Sequence, residues 1–498
     1  MEGGPVAAMP GTFSFEVKET DLMGRTGVAR VGGRSFETPC LTPVVHPVWR
    51  DIPLAKMRSM GFDVLMTNSY ILYKRKREEA LEKGLHSLIG FDGLLMTDSG
   101  GYQVLEYGDA DATPDQIASF QSRIGSDLAV TLDKPTGYST SRPYARETML
   151  YSLNAARETI EAHSGSKTTW VGPVQGGIFG DLVRRSAKGL VAAGFDFLAL
   201  GSPVELMEGY RFTPLVEMIV NARKAMPYSM PLHLFGAGHP LTLPLSVALG
   251  CDTFDSASYM LYAKKDRYMT ERGTLHLERM AYLPCSCEAC NSTSLGALRS
   301  SPREERVSKV ALHNLHVLRA DVLRCREAIC EGRLWDLVEE RAMAHTSSTA
   351  AFRGLVKAHA AWLAKPTPLL KGRGLMVRSH EDASRPELAL ARDHLRRLLA
   401  KAKPPPGRVA VLVRSSAPPP LTRSSGRIRR VRGLDQADIF RINPALGAYP
   451  AELEFVFPFG QTMADGTSRE ASVEVCKKQL RAMGYSRVVV SGDGGAER

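Results

Sequence analysis

The chain has 498 residues, 44% hydrophobic and 23% charged, a composition that supports more than one buried core and excludes a chain disordered throughout. It holds no run of about 18 uncharged apolar residues and its mean hydropathy is −0.15, so no membrane span is expected. The net charge is +11, and the segment from Lys371 to Arg498 carries 23 Lys+Arg against 13 Asp+Glu, so the basic excess lies almost wholly in the last quarter and points to a nucleic acid, with a solvated basic surface as the plain alternative.

At the start, MEGGPVAAMPGTFSFEVKE has neither a basic opening nor a long apolar core, so no secretory signal is expected. From residue 39 onward short apolar runs recur, each ending in small or polar residues. They are PCLTPVV (39–45), DVLMTNS (63–69), GLLMTDS (93–99), DLAVTLD (127–133), TWVGPVQ (169–175), FDFLALG (195–201), PLHLFGA (231–237) and CDTFDSA (251–257). Helical patterns such as TMLYSLNAARETIEAHSG and LVRRSAKGLVAAG separate most of them. Strands buried on both faces and alternating with helices make a parallel sheet, and eight such units predict a (β/α)8 TIM barrel. A doubly wound open sheet is the alternative, but no GxGxxG follows the first strand.

A barrel carries its chemistry at the C-terminal ends of its strands. Those ends read Asp98-Ser99-Gly100-Gly101, Asp133, Gln175-Gly176-Gly177, Gly201-Ser202, Gly236-Ala237-Gly238-His239 and Asp255-Ser256. Three carboxylates, a carboxamide and several glycines therefore converge on one mouth. Any one Asp reads equally well as a helix N-cap; three at strand ends make a site.

Eight cysteines in 498 residues are too few for a disulfide scaffold, and a reducing cytoplasm is expected. Three of them fall within six residues, Cys285, Cys287 and Cys290, with the Cys-x-x-Cys spacing that brings two thiolates to one ion. The helical segment EERVSKVALHNLHVLRADVLRCREAI offers His313 or His316 as the fourth ligand of a closed, structural zinc site. Cys325 and Cys330 read as core residues of that helix, and Cys40, Cys251 and Cys476 as buried apolar residues.

Beyond residue 366 the texture changes. Pro366-Thr367-Pro368, Pro404-Pro405-Pro406 and Pro418-Pro419-Pro420 mark linkers or loop edges. ELALARDHLRRLLAKA reads as a basic helix, RVAVLVR as a strand, and Arg423, Arg427, Arg429, Arg430 and Arg432 as an arginine cluster suited to phosphates. The expected division is a catalytic barrel over residues 1–370, with a zinc subdomain at about 280–345, followed by smaller basic α+β modules over 371–498.

MTDSGGYQVLEYGD (96–109), IGSDLAVTLD (124–133), GPVQGG (172–177), ALGSPVE (199–205), LFGAGHP (234–240), CDTFDSASYMLYAKKDRYMT (251–270), CSCEAC and HNL (313–315) together resemble the archaeal type of tRNA-guanine transglycosylase. The resemblance implies exchange of guanine 15 in the D-loop of tRNA for free 7-cyano-7-deazaguanine, a step of archaeosine biosynthesis, through a covalent ribosyl-aspartyl intermediate. It implies Asp255 as nucleophile and Asp98 as general acid/base; the opposite assignment stays open, and both are named as catalytic. It places Ser99, Tyr102, Asp133, Gln175, Gly201 and Ser202 around the base, with Tyr102 either stacking on it or filling the core. The HNL stretch selects His313 as the fourth zinc ligand. A homodimer in the cytoplasm, and C-terminal modules that bind the tRNA D-arm without the family's final PUA module, complete the expectation. Two departures stand out: Pro203, which has no N–H, follows Ser202, and Lys134-Pro135 follows Asp133. A non-catalytic tRNA-binding relative, an anticodon-directed enzyme and a plain barrel glycosidase are the competing readings.

Overall fold

A computed structural model of the chain describes residues 13–49, 52–101, 112–138, 140–413, 436–464, 469–492 and 495–497. Tyr102 and the arginine cluster at 423–432 lie outside these residues. The chain divides into two units, Met1–Leu355 and Val356–Arg498.

The first unit opens with an antiparallel sheet of β1 (Phe13–Asp21), β2 (Gly24–Val31) and β3 (Arg34–Thr38). Eight parallel strands follow: β4 (Cys40–Pro43), β5 (Val64–Asn68), β6 (Leu94–Asp98), β7 (Leu128–Val130), β8 (Thr169–Val174), β9 (Leu198–Leu200), β10 (Leu232–Leu234) and β11 (Thr253–Ser256). Each of the eight predicted runs contains one of them. β11 pairs with β4, and β4 is tied back to β5 by the Val44–Met66 bridge, so the sheet closes into the expected barrel. Helices such as Arg142–Ala162 and Gly180–Ala192 fill the crossovers.

Apolar side chains plug the barrel. Val64, Leu94, Leu128, Val171 and Phe197 form one buried cluster, and Ala29, Val31 and Phe36 of the first sheet belong to it. Phe13 stacks on Phe197 with ring centroids 5.5 Å apart. The small sheet thus caps the end of the barrel opposite the mouth. Arg25 of β2 pins it there: its guanidinium donates to both oxygens of Asp252, 2.7 Å each, and both side chains are essentially inaccessible to solvent.

After β11 a hairpin of β12 (Arg267–Thr270) and β13 (Gly273–His276) leads into the cysteine-rich segment and the long helix Arg303–Cys330. Cys325 is buried in that helix as expected, whereas Cys330, its last residue, is exposed. The helix ends there at the surface, so no core covers the thiol. Cys40, Cys251 and Cys476 are buried.

The second unit contains two short parallel strands, β14 (Leu375–Val377) and β18 (Thr462–Ala464), and a five-stranded sheet. In that sheet β16 (Asp438–Asn443), β15 (Val409–Val413) and β19 (Arg487–Gly492) run parallel, edged by antiparallel β17 (Gly447–Pro450) and β20 (Gly495–Glu497). The predicted basic helix is Pro386–Lys401; Leu388 and Leu395 on it share a core with Leu412, Phe440, Cys476 and Leu480. Among the described residues no helix is long and apolar enough to cross a membrane.

Candidate active site and metal centre

A cleft of ≈ 920 Å³ opens at the C-terminal ends of the barrel strands and is lined by Asp98, Asp133, Gly201, Ser202 and Asp255 among others. Nine of the residues expected at the mouth are therefore brought to one surface, from the ends of β6, β7, β9, β10 and β11.

Asp255 ends on β11 with 8% of its surface exposed. Its Oδ1 accepts the Gly236 N–H at 2.8 Å and lies 3.0 Å from His233 Nε2, while His233 Nδ1 lies 2.9 Å from the Thr253 hydroxyl. With the Thr253 O–H donating to Nδ1, the ring carries its proton on Nε2 and donates to the carboxylate. Among the described residues no hydrogen bond reaches Oδ2. One oxygen of Asp255 is clamped and the other is left for chemistry.

Asp98 is held differently. The Asn68 amide donates to its Oδ2 at 3.0 Å, and the Asn68 Oδ1 accepts from Ile71 N–H, capping the helix that follows β5. Burial pushes the Asp98 carboxyl up to about 7, and the charges of Asp133 and Asp255 add to the shift. Enclosure and like charge both oppose ionisation, so this is a carboxyl that carries a proton near neutrality.

Asp133 follows β7 and is pushed up to about 6 by burial, against the hydrogen bond from Gln175. Gln175 Nε2 donates to Asp133 Oδ2 at 2.6 Å. Its Oε1 accepts from the Thr136 N–H (3.1 Å), the Thr136 hydroxyl (2.9 Å) and the Ser202 hydroxyl (3.0 Å), which fixes which end of the amide faces Asp133. Two glycines make room for this network. A Cβ on Gly101 would lie 2.5 Å from Asp133 Oδ1, and one on Gly201 would lie 2.2 Å from Gln175 Nε2. Ser202 itself takes a left-handed φ of 63°, a costly backbone for serine.

Some expected residues stand elsewhere. Ser99 is fully buried and does not line the cleft; its hydroxyl has no partner among the described residues. Gln175 is 1% exposed and stands behind Asp133, because four hydrogen bonds draw its amide into the wall. The Gly201 N–H is donated to the Val174 carbonyl at 2.9 Å, so that amide is already engaged. Pro203 begins the turn into the helix Val204–Glu208, where a missing N–H costs nothing. Lys134 pairs with Glu147 at 3.0 Å on the surface. His233, Asn68 and Thr136 were not singled out from sequence, whereas Gly236 was read as a strand end of the mouth. His233 had a signal: a histidine inside the apolar run PLHLFGA needs a buried partner.

The metal-ligand cluster is a separate centre. Cys285, Cys287, Cys290 and His313 bring their donor atoms within 4.8 Å of one another. His313 Nδ1 lies 3.5 Å from Cys287 Sγ and 3.4 Å from Cys290 Sγ. Tetrahedral bonds of about 2.3 Å to sulfur and 2.0–2.1 Å to nitrogen place such atoms about 3.5 Å apart. The other nitrogen, Nε2, lies 2.8 Å from the Met269 carbonyl, which takes its proton and leaves Nδ1 free for a metal. Tyr268 stacks on the imidazole at 3.5 Å and its hydroxyl is 3.2 Å from Cys290 Sγ. The donor set suits one metal ion with four protein ligands. His316 is not among them.

The model of the family described as queuine tRNA-ribosyltransferase matches residues 20–347. A protein of Methanocaldococcus jannaschii named tRNA-guanine(15) transglycosylase is 39% identical over 461 residues, covering 90% of this chain and 68% of its own length. One of the same name from Aeropyrum pernix is 40% identical over 448 residues, covering 89% of this chain and 86% of its own. A third, from Pyrococcus abyssi, is 40% identical over 391 residues, and this chain spans 66% of it. With that match across both the barrel and the cysteine cluster, the chain belongs to the queuine tRNA-ribosyltransferase family, a family of pentosyltransferases that act on tRNA.

Proposed function

We propose that the chain is a tRNA-guanine(15) transglycosylase that exchanges guanine in the D-loop for free 7-cyano-7-deazaguanine. The observation that carries this reading is the asymmetry of two carboxyls on one cleft: Asp255 with a clamped Oδ1 and an Oδ2 that no described residue hydrogen-bonds, and Asp98 with a carboxyl pushed up to about 7.

In the first displacement Asp255 Oδ2 attacks the ribose C1′ and forms an ester bond. The C1′–N9 bond breaks, its electron pair passes to the purine, and Asp98 supplies the proton that guanine carries away. In the second, the incoming base gives a proton to Asp98, its nitrogen attacks C1′, and the ester electrons return to Asp255. Two inversions at C1′ retain configuration, as in retaining glycosidases. Asp133, steadied by Gln175, accepts from the N1–H and exocyclic amine of a guanine-like base, and Ser202 and Gly201 border it.

The resident metal is proposed to be zinc, which fits a set of three thiols and one imidazole with no open position. It would tie the segment after β13 to the helix Arg303–Cys330 and take no part in exchange.

The reading is tested by exchange of radiolabelled guanine into archaeal tRNA transcripts, with Asp255→Asn and a transcript carrying adenine at position 15 as controls. Incorporation is expected in the wild type and in neither control. Incorporation that survives the adenine change would move the target to another loop. Intact tRNA binding with no incorporation would make the chain a non-catalytic tRNA-binding relative.

A further inference from the structure

The cleft is larger than one flat base fills; ≈ 920 Å³ stands near the upper end of sites for drug-sized ligands. Its rim on the side of β4, β5 and β11 carries two exposed large apolar side chains, Trp49 at 63% and Leu261 at 54%. Burial would remove both from water, yet no part of the described chain covers them.

Trp49 is also held in place. His46 stacks on its indole with centroids 4.7 Å apart and planes 17° from parallel. His46 Nδ1 accepts the backbone N–H groups of Val48 and Trp49, 3.1 Å each, so the turn that presents the indole is fixed by the ring it stacks on. The Arg75 guanidinium lies 5.6 Å from the indole centroid, and Lys264 and Lys265 line the same cleft. A held, exposed aromatic ring with an arginine beside it and lysines on the same cleft is the arrangement that binds single-stranded nucleic acid: the ring takes a base face and the cations take phosphates. An apolar peptide would leave the cations without a role.

We propose that Trp49 is a stacking platform for the unpaired nucleobase adjacent to the guanosine being exchanged, with Arg75, Lys264 and Lys265 on the phosphates of that nucleotide. The proposal rests on the base-exchange reading above. The exchanged nucleotide must leave its own stack to reach Asp98 and Asp255, and its neighbour then loses a stacking face. Trp49 replaces that face and lowers the cost of opening the loop.

The test compares wild type, Trp49→Ala and Trp49→Phe by tRNA filter binding and by guanine-exchange kinetics. Trp49→Ala is expected to raise the Kd and KM for tRNA about tenfold, to leave kcat within about twofold and the KM for free guanine unchanged. Trp49→Phe is expected to recover most of the loss. An abasic ribose at one neighbour of the exchanged guanosine should weaken binding to wild type and cause no further loss in Trp49→Ala. Wild-type tRNA affinity in Trp49→Ala, or abasic effects that add in full at both neighbours, would overturn the platform. Binding is read without turnover. A protein that exchanges no guanine but loses tRNA affinity on Trp49→Ala therefore supports the platform and sinks the exchange reading instead.

Discussion

His233 Nε2 lies 3.0 Å from Asp255 Oδ1, and the ring is wholly shielded from solvent within the strand next to that of the carboxylate. Its partner on the far side is Thr253, on Asp255's own strand. The relationship fixes which carboxylate oxygen is free. His233→Ala removes a hydrogen bond to a charged group worth about 1.5–3 kcal/mol. Exchange kcat should fall about 10- to 100-fold while the KM for tRNA changes little. A rise in KM with kcat intact would show that His233 serves binding rather than the orientation of Asp255.

Asp255→Asn should abolish the covalent adduct with tRNA, seen as a shifted band on a denaturing gel, and leave tRNA binding nearly intact. Asp98→Asn should slow turnover by about 10²–10⁴-fold, the usual reach of a general acid. Adduct formation by Asp255→Asn equal to wild type would reverse the two roles.

The raised carboxyl of Asp98 predicts a pH dependence of stability. Unfolded, an aspartate titrates near 4, whereas here burial and like charge push it up to about 7. Between those values the folded chain keeps a proton that the unfolded chain has lost, so this group makes folding less favourable as pH rises from about 4 to about 7. Asp98→Asn removes the penalty. The variant should be more stable than wild type at pH 8, by on the order of 1–3 kcal/mol, and the difference should fade toward pH 4. Urea unfolding at several pH values measures it. Release of guanine, which needs the protonated form, should fall above about pH 7 in wild type.

Chelation should strip the Cys285, Cys287, Cys290 and His313 centre and lower the thermal midpoint, because a structural zinc supplies on the order of 10 kcal/mol to a small site. Elemental analysis of purified protein should give one zinc per chain. Protein that contains no metal and keeps its midpoint in chelator would refute the zinc reading.

Arg25→Ala leaves Asp252 charged and buried beneath the barrel. Breaking such a pair costs about 3–5 kcal/mol. Asp252 also accepts the Leu232 N–H at 2.8 Å, so the loss would be felt in β10 and β11 as well as in the first sheet. Denaturant unfolding that leaves stability within about 0.5 kcal/mol would show that Asp252 finds another partner.

The sequence by itself determined the periodic and local features. Eight apolar runs ending in polar residues require a parallel sheet closed at both faces, and each run holds its strand. The spacing of Cys285, Cys287 and Cys290 marks a metal centre, because the ligands are neighbours in the chain, and the choice of His313 matches the cluster. Asp98, Asp133 and Asp255 were legible as strand-end carboxylates. What each does was decided by contacts between strands far apart in sequence. Asp98 owes its proton to enclosure and to two other strands' charges. Asp255 owes its free oxygen to His233 and Gly236. Gln175 turned inward because Thr136 and Ser202 claim its carbonyl oxygen. Burial, electrostatic neighbours and hydrogen-bond partners are properties of the closed barrel, and no local pattern encodes them.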